Sequence, residues 1–234
     1  RQEKIKIQRA NAIEEVKEEH RKERERIQQI VNERGITRVC HFTRYSHLKS
    51  IQTHGIRSTR YLKLKKDIEF QQNDTGRFDN VEGISCTVQF PNAKLLTKWM
   101  NYTYSNEEWV ILYIKPDVLW QNGQVNKFFQ TNAATLRGSL MMQGSKGFES
   151  MFYNEYQTVN GTEKRDQSLA PHSTSDPQSE VIFETPIPWD QIRSIVTPTE
   201  EIKQKTSQNF PGTKVILDPY AFDLGTTETR RRRR

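Results

Sequence analysis

Apolar positions in this chain fall into short, separated runs, and the spacing inside each run predicts an element. From residue 36, "ITRVCHFT" alternates like a strand, and in "RYSHLKSIQTHGI" Leu48 and Ile51 stand at helical spacing before the stop at Gly55. "ISCTVQF" reads as a strand closed by Pro91 and Asn92, and "AKLLTKWMNYTY" as a helix with Leu95, Leu96 and Trp99 inward. "EWVILYIKP" is apolar throughout, as a strand buried on both faces would be. "SEVIFETPI" is a further strand, "WDQIRSIVT" a short helix or turn running into another, and "TKVILDP" the last. Residues 118–155 mix aromatic with small polar residues and suggest short helices and loops. "KLKKDIEFQQNDTGRFDNVEG" and "QTVNGTEKRDQSLAPHSTSDPQ" read as polar loops, the second of a length usually found in functional or disordered segments. No internal repeat interrupts this order, which predicts a mixed α+β domain over residues 36–229.

Residues 1–35 form a separate unit in this reading. "NAIEEVKEEHRKERERIQQIV" is dense in Glu, Lys and Arg, has no Pro or Gly, and reads as a helix ending before Gly35. Ile13, Val16, Ile27, Ile30 and Val31 share a stripe interrupted by charge, so the helix is expected to pack only at its ends. It is either an arm that meets a partner or nucleic acid, or a solvated helix laid on the domain.

Composition narrows the class. The chain has 234 residues, of which 33% are hydrophobic and 28% charged, enough for one main domain with a core diluted by polar flanks. The net charge of +7 drops to +2 once the terminal run Arg230–Arg234 is set aside, so most of the basicity is a tail. That tail reads either as a phosphate-binding arm with salt-sensitive affinity or as a solvated terminus. Cys40 and Cys86 have no companion at zinc or redox spacing, which fits a reducing cytoplasm. No signal-peptide pattern opens the chain and no apolar run approaches the roughly 18 residues of a membrane span, so a soluble protein is expected. The N-x-T triplets at Asn73, Asn101 and Asn160 are then chance matches.

Several chemistries lack their residues. His41, His47, His54 and His172 form no i, i+4 pair with a nearby acid, so no metal site is expected, and no Walker loop or G-x-G-x-x-G is present. Cys86 with His41 is conceivable as a nucleophile and base, but no spacing favours it. What remains is a set of polar residues at element boundaries: His41 and Thr43 on the first strand, Arg77 in a loop, and Gln178 and Glu180 where a loop enters a strand. Strand alternation would send Gln178 and Glu180 to one face and into one site. Lys94 and Lys98, four apart beside Trp99, read as a phosphate-contacting ridge or a solvated helix face, and His172 as a possible substrate contact.

Three ordered segments carry a family resemblance. "HFTRYSHLKSIQTHGI" resembles the opening motif of the DarT family of DNA ADP-ribosyltransferase toxins, a His-x-Thr strand followed by a helix and a turn glycine. "RFDNVEGISCTVQFPNAKLLTK" resembles that family's arginine segment, particularly in the guanine-modifying branch, and "DPQSEVIF" its glutamate-bearing loop and strand. The resemblance implies an α+β ADP-ribosyltransferase-like mixed fold with a central split β-sheet core. It also implies NAD as co-substrate, Glu180 as the catalytic carboxylate and Gln178 as the reader of the acceptor. Arg77 would sit at the NAD phosphates, with His41 and Thr43 at a ribose. The implied reaction transfers ADP-ribose to a base, guanine, of single-stranded DNA. The implied partner is an antitoxin that reverses the modification, a macrodomain or a NADAR-type hydrolase. RNA or protein acceptors are the alternative within transferases, and a non-enzymatic nucleic-acid-binding module is the alternative outside them. The first helix, the Arg tail and residues 118–155 lie outside the resemblance.

Overall fold

The computed structural model describes residues 2–65, 68, 82–121 and 126–232. Helix α1 (Gln2–Arg34) leads into strand β1 (Val39–Arg44), then α2 (Leu48–His54), α3 (Thr59–Leu64), β2 (Ile84–Val88), α4 (Ala93–Lys98) and β3 (Trp109–Ile114). The next elements are β4 (Lys127–Phe129), β5 (Met142–Gln143), α5 (Gly144–Ser150), β6 (Glu155–Thr158), β7 (Gly161–Lys164) and β8 (Glu180–Phe183). The described residues close with β9 (Ile192–Thr197), α6 (Glu200–Asn209), β10 (Val215–Leu217) and α7 (Leu224–Arg231). Eight of these strands form one sheet in the order β10-β9-β3-β1-β2-β8-β4-β5, and β6 pairs with β7 as a separate hairpin. The β9/β10 pair is parallel, and the other pairs are antiparallel.

The continuous apolar run 109–114 becomes β3, buried at every position. Alternation divides it between two cores: Val110, Leu112 and Ile114 enter the larger, and Trp109, Ile111 and Tyr113 the smaller. α2 ends at Gly55, whose φ of +73° suits a residue without a side chain. A Cβ there would stand 2.7 Å from the Ile187 carbonyl oxygen, with which Gly55's neighbour Ile56 pairs.

α1 packs at one end. Ile27, Ile30 and Val31 enter the larger core, while Ile13 and Val16 are exposed. Arg26 pairs with Glu149 on α5 at 3.0 Å, and the Glu23 carboxylate accepts the Ser145 N–H. The last turns of the arm and the body of the domain therefore share one core.

Two expectations need correction, and one helix was not foreseen at all. The segment from residue 157 is not a bare loop, because β6 and β7 turn at Val159 and Asn160; apart from the buried Tyr156 their largely exposed polar residues carry no apolar alternation to announce them. α6 was hidden for a similar reason, contributing two buried side chains, Ile202 and Thr206, from a polar sequence capped by Thr199. The basic tail is the second correction. Arg233 and Arg234 lie outside the described residues, but Arg230 grips the Asp218 carboxylate at 2.7 and 3.0 Å, Arg232 pairs with Asp166, and Arg231 is 2% exposed. These three belong to the fold rather than to a solvated arm, held by acidic and carbonyl partners far away in sequence.

Candidate active site

The large sheet opens at its centre. β1 and β2 pair only at Val39↔Val88 and Cys40↔Thr87, after which β2 turns to β8 through Ile84–Cys86. A side chain bridges the gap: His41 Nδ1 lies 2.9 Å from the Ser85 carbonyl oxygen. A carbonyl only accepts, so Nδ1 carries the proton, and Nε2 of the neutral ring is left as an acceptor. Below the opening lies a cavity of about 240 Å³, lined by His41, Thr43, His47, Ser85, Asn132 and Glu180 with Ile51, Leu62, Leu95 and Trp99.

Glu180 is the first residue of β8 and only 5% exposed. Its Oε1 accepts from Ser85 Oγ at 3.0 Å and from Asn132 Nδ2 at 3.4 Å, and its Oε2 from the Ala133 N–H at 2.8 Å. Such a carboxylate is oriented, with its charge shared among fixed donors rather than water. Asn132 is itself fixed, since its Oδ1 accepts the Ala134 N–H at 2.9 Å. Ser85, Asn132 and the Ala133 amide were not legible in the sequence, because they reach Glu180 across 95, 48 and 47 residues.

His41, Thr43 and Glu180 are thus brought together. Arg77 lies outside the described residues. Gln178 is placed differently from the alternation argument: β8 begins at Glu180, and Gln178 sits in the preceding turn, where its backbone N–H donates to Asp176 Oδ1 at 2.7 Å. Its position comes from that turn, and it is not among the residues lining the cavity. Lys94 and Lys98 are exposed on α4, whose Leu95, with the adjacent Trp99, faces the cavity. His172 lies elsewhere, its ring 5.7 Å from that of Phe90, beside Arg34 and Arg165 in a second cavity. Burial pushes the Cys86 thiol well above its ordinary value, with the Cys40 and Glu180 charges adding, so it supplies no thiolate nucleophile.

The cavity's imidazoles are neutral near pH 7. Burial holds His41 below its usual value, partly offset by the Ser85 carbonyl. Burial, then Arg44 and His41, bring His47 down to about 4. An unfolded chain protonates His47 near 6.5, so between the two values it binds the extra proton and stability falls as pH drops. The contribution of neutral His47 is complete above pH 6.5 and lost toward pH 4. The melting temperature is expected to fall between pH 7.5 and 5, and His47→Gln to flatten that fall in a thermal-unfolding series. Some slope will remain, because His41 and His172 are depressed in the same direction.

A family model described as "ssDNA thymidine ADP-ribosyltransferase, DarT" matches residues 40–224, more than half of the chain. No curated protein matches. Among solved structures, Thermosipho africanus DarTG in complex with ADP-ribose is similar at a TM-score of 0.55 and 12% identity, over 80% of this chain and 51% of that one. Thermus sp. 2.9 DarT in complex with ADP-ribosylated ssDNA is similar at 0.54, again at 12% identity, over 80% of this chain and 97% of that one. The same Thermus protein in complex with NAD+ gives 0.51 at the same identity and coverage.

Proposed function

The chain belongs to the DarT family of single-stranded-DNA ADP-ribosyltransferases, and from that premise we propose that it transfers ADP-ribose from NAD to guanine in single-stranded DNA. The observation that carries the reading is a buried carboxylate, Glu180, held by Ser85, Asn132 and the Ala133 N–H and facing a half-polar cavity beside a neutral histidine acceptor. The cavity suits the nicotinamide riboside end of NAD: apolar Ile51, Leu62 and Trp99 for the ring, and His41 Nε2 with the Thr43 hydroxyl for ribose.

In the proposed reaction the bond from ribose C1′ to the nicotinamide nitrogen breaks, and its electron pair leaves with nicotinamide. The sugar becomes oxocarbenium-like, and Glu180 stabilises that charge through a ribose hydroxyl. A lone pair of the base forms the new bond to C1′, and its proton passes to Glu180 or to water. Guanine fits Gln178, whose amide carries both a donor and an acceptor and can meet an N–H beside a carbonyl. Thymine, the base in the family description, presents the same pair. An unpaired strand offers these edges without unstacking a duplex.

The family resemblance further supports a cytoplasmic toxin whose antitoxin, a macrodomain or NADAR-type hydrolase, removes the modification. No helix among the described residues is long and apolar enough to cross a membrane. The test is incubation with NAD and single-stranded DNA or RNA oligonucleotides each lacking one base, followed by mass spectrometry. An ADP-ribosyl gain on DNA that vanishes without guanine supports the full reading, and one that vanishes without thymine reassigns the base. A gain on RNA alone, or none on any oligonucleotide, overturns the DNA reading.

A further inference from the structure

The segment that leads into Glu180 is held from the far end of the chain. Arg231, at the end of α7, is buried, and its guanidinium donates to the Thr174 carbonyl and, at 3.4 Å, to Thr174 Oγ1. The Arg231 carbonyl in turn accepts the Ala170 N–H and the Ser173 hydroxyl, each at 2.8 Å. From Thr174 the linkage runs onward: its hydroxyl donates to the Asp176 carbonyl at 2.8 Å, and the Asp176 carboxylate caps the Gln178 N–H. The same Asp176 carbonyl accepts from Ser179, next to Glu180, but Glu180 also has anchors outside this linkage. It is fixed by Ser85 and Ala133 and by pairing of β8 with β2 and β4.

We propose that Arg231 is a positioning residue that sets the turn bearing Gln178, and so governs capture of the acceptor base while leaving NAD binding alone. The inference rests on the transferase reading above and goes beyond it, since the family match ends at residue 224, before Arg231. A bidentate guanidinium suits this role because it fixes both the carbonyl and the hydroxyl of one residue, which a lysine ammonium cannot do as rigidly. The buried cation is balanced by Glu228 on the same helix at 3.5 Å and, more weakly, by the Asp176 charge.

The test uses the full chain with NAD and a single-stranded oligonucleotide, measuring kcat and KM for each substrate along with the melting temperature. Arg231→Met is expected to lower kcat/KM for the oligonucleotide about tenfold or more, with KM for NAD within about twofold of wild type. Arg231→Lys should fall between the two. Thr174→Val leaves α7 intact and should give the same split at smaller size, and it decides the matter if Arg231→Met fails to fold. Oligonucleotide kinetics unchanged in Thr174→Val, or KM for NAD rising in step, would show a merely structural arginine and overturn the inference. Wild-type protein without transfer activity would instead sink the transferase reading, and this inference with it.

Discussion

Glu180→Gln is expected to lower ADP-ribose transfer about 10³-fold or more while the melting temperature holds or rises. The two effects separate because the carboxylate is poorly placed for stability and well placed for chemistry. Glu180 is 5% exposed, so folding strips most of its hydration, and its three fixed donors offset that cost. Glutamine is nearly isosteric and neutral. Its carbonyl oxygen can still accept the Ala133 N–H, and the Ser85 hydroxyl can rotate to accept from the new amide, so of these three contacts the weaker one to Asn132 is lost. The fold loses little. In the proposed mechanism the reaction loses the negative charge that meets the developing positive ribose, and with it one acceptor for the proton of the incoming base. Transfer is followed by mass spectrometry and unfolding by thermal denaturation. Activity within tenfold of wild type would remove Glu180 from the centre of the reaction.

Much of the sheet was legible because burial leaves a periodic mark. β1 and β2 alternate, β3 is apolar throughout, and β8, β9 and β10 are short apolar runs bounded by polar residues. Elements that bury little left no such mark: the β6/β7 hairpin is polar but for the buried Tyr156, and α6 and α7 bury mainly Ile202, Thr206, Thr227 and Arg231. Glu180 was visible as a candidate at a loop-to-strand boundary and through the family resemblance. Its supports were not, since hydrogen bonds from Ser85 and Asn132 depend on how strands are brought together. A split in the central sheet was implied by the resemblance, but not its place between β1 and β2, because periodicity identifies two strands without saying where their pairing stops. Arg230–Arg232 are the sharpest case. Composition sees a basic run, whereas the fold supplies Asp218, Thr174 and Asp166 as partners.

Asn132→Asp is the second change with a large expected effect, and it tests whether charge, rather than shape, is what the site maintains around Glu180. In the wild type Asn132 is oriented by the Ala134 N–H on its Oδ1, so its Nδ2 must face the Glu180 carboxylate at 3.4 Å. Aspartate keeps the first contact and places its second oxygen where the donor stood. Two carboxylates then share one site, and their like charges disfavour ionising both. Transfer at pH 7 is expected to drop about 10²-fold, against about tenfold for Asn132→Ala, which removes the donor without adding charge. The distinguishing readout is the pH profile of kcat/KM. Asn132→Asp should move its acid limb to higher pH and recover part of the lost activity in alkaline buffer, whereas Asn132→Ala should lower the curve with a smaller displacement. If the aspartate variant matches the alanine variant at every pH, the Asn132 amide acts through packing alone, and the electrostatic account of the Glu180 site fails.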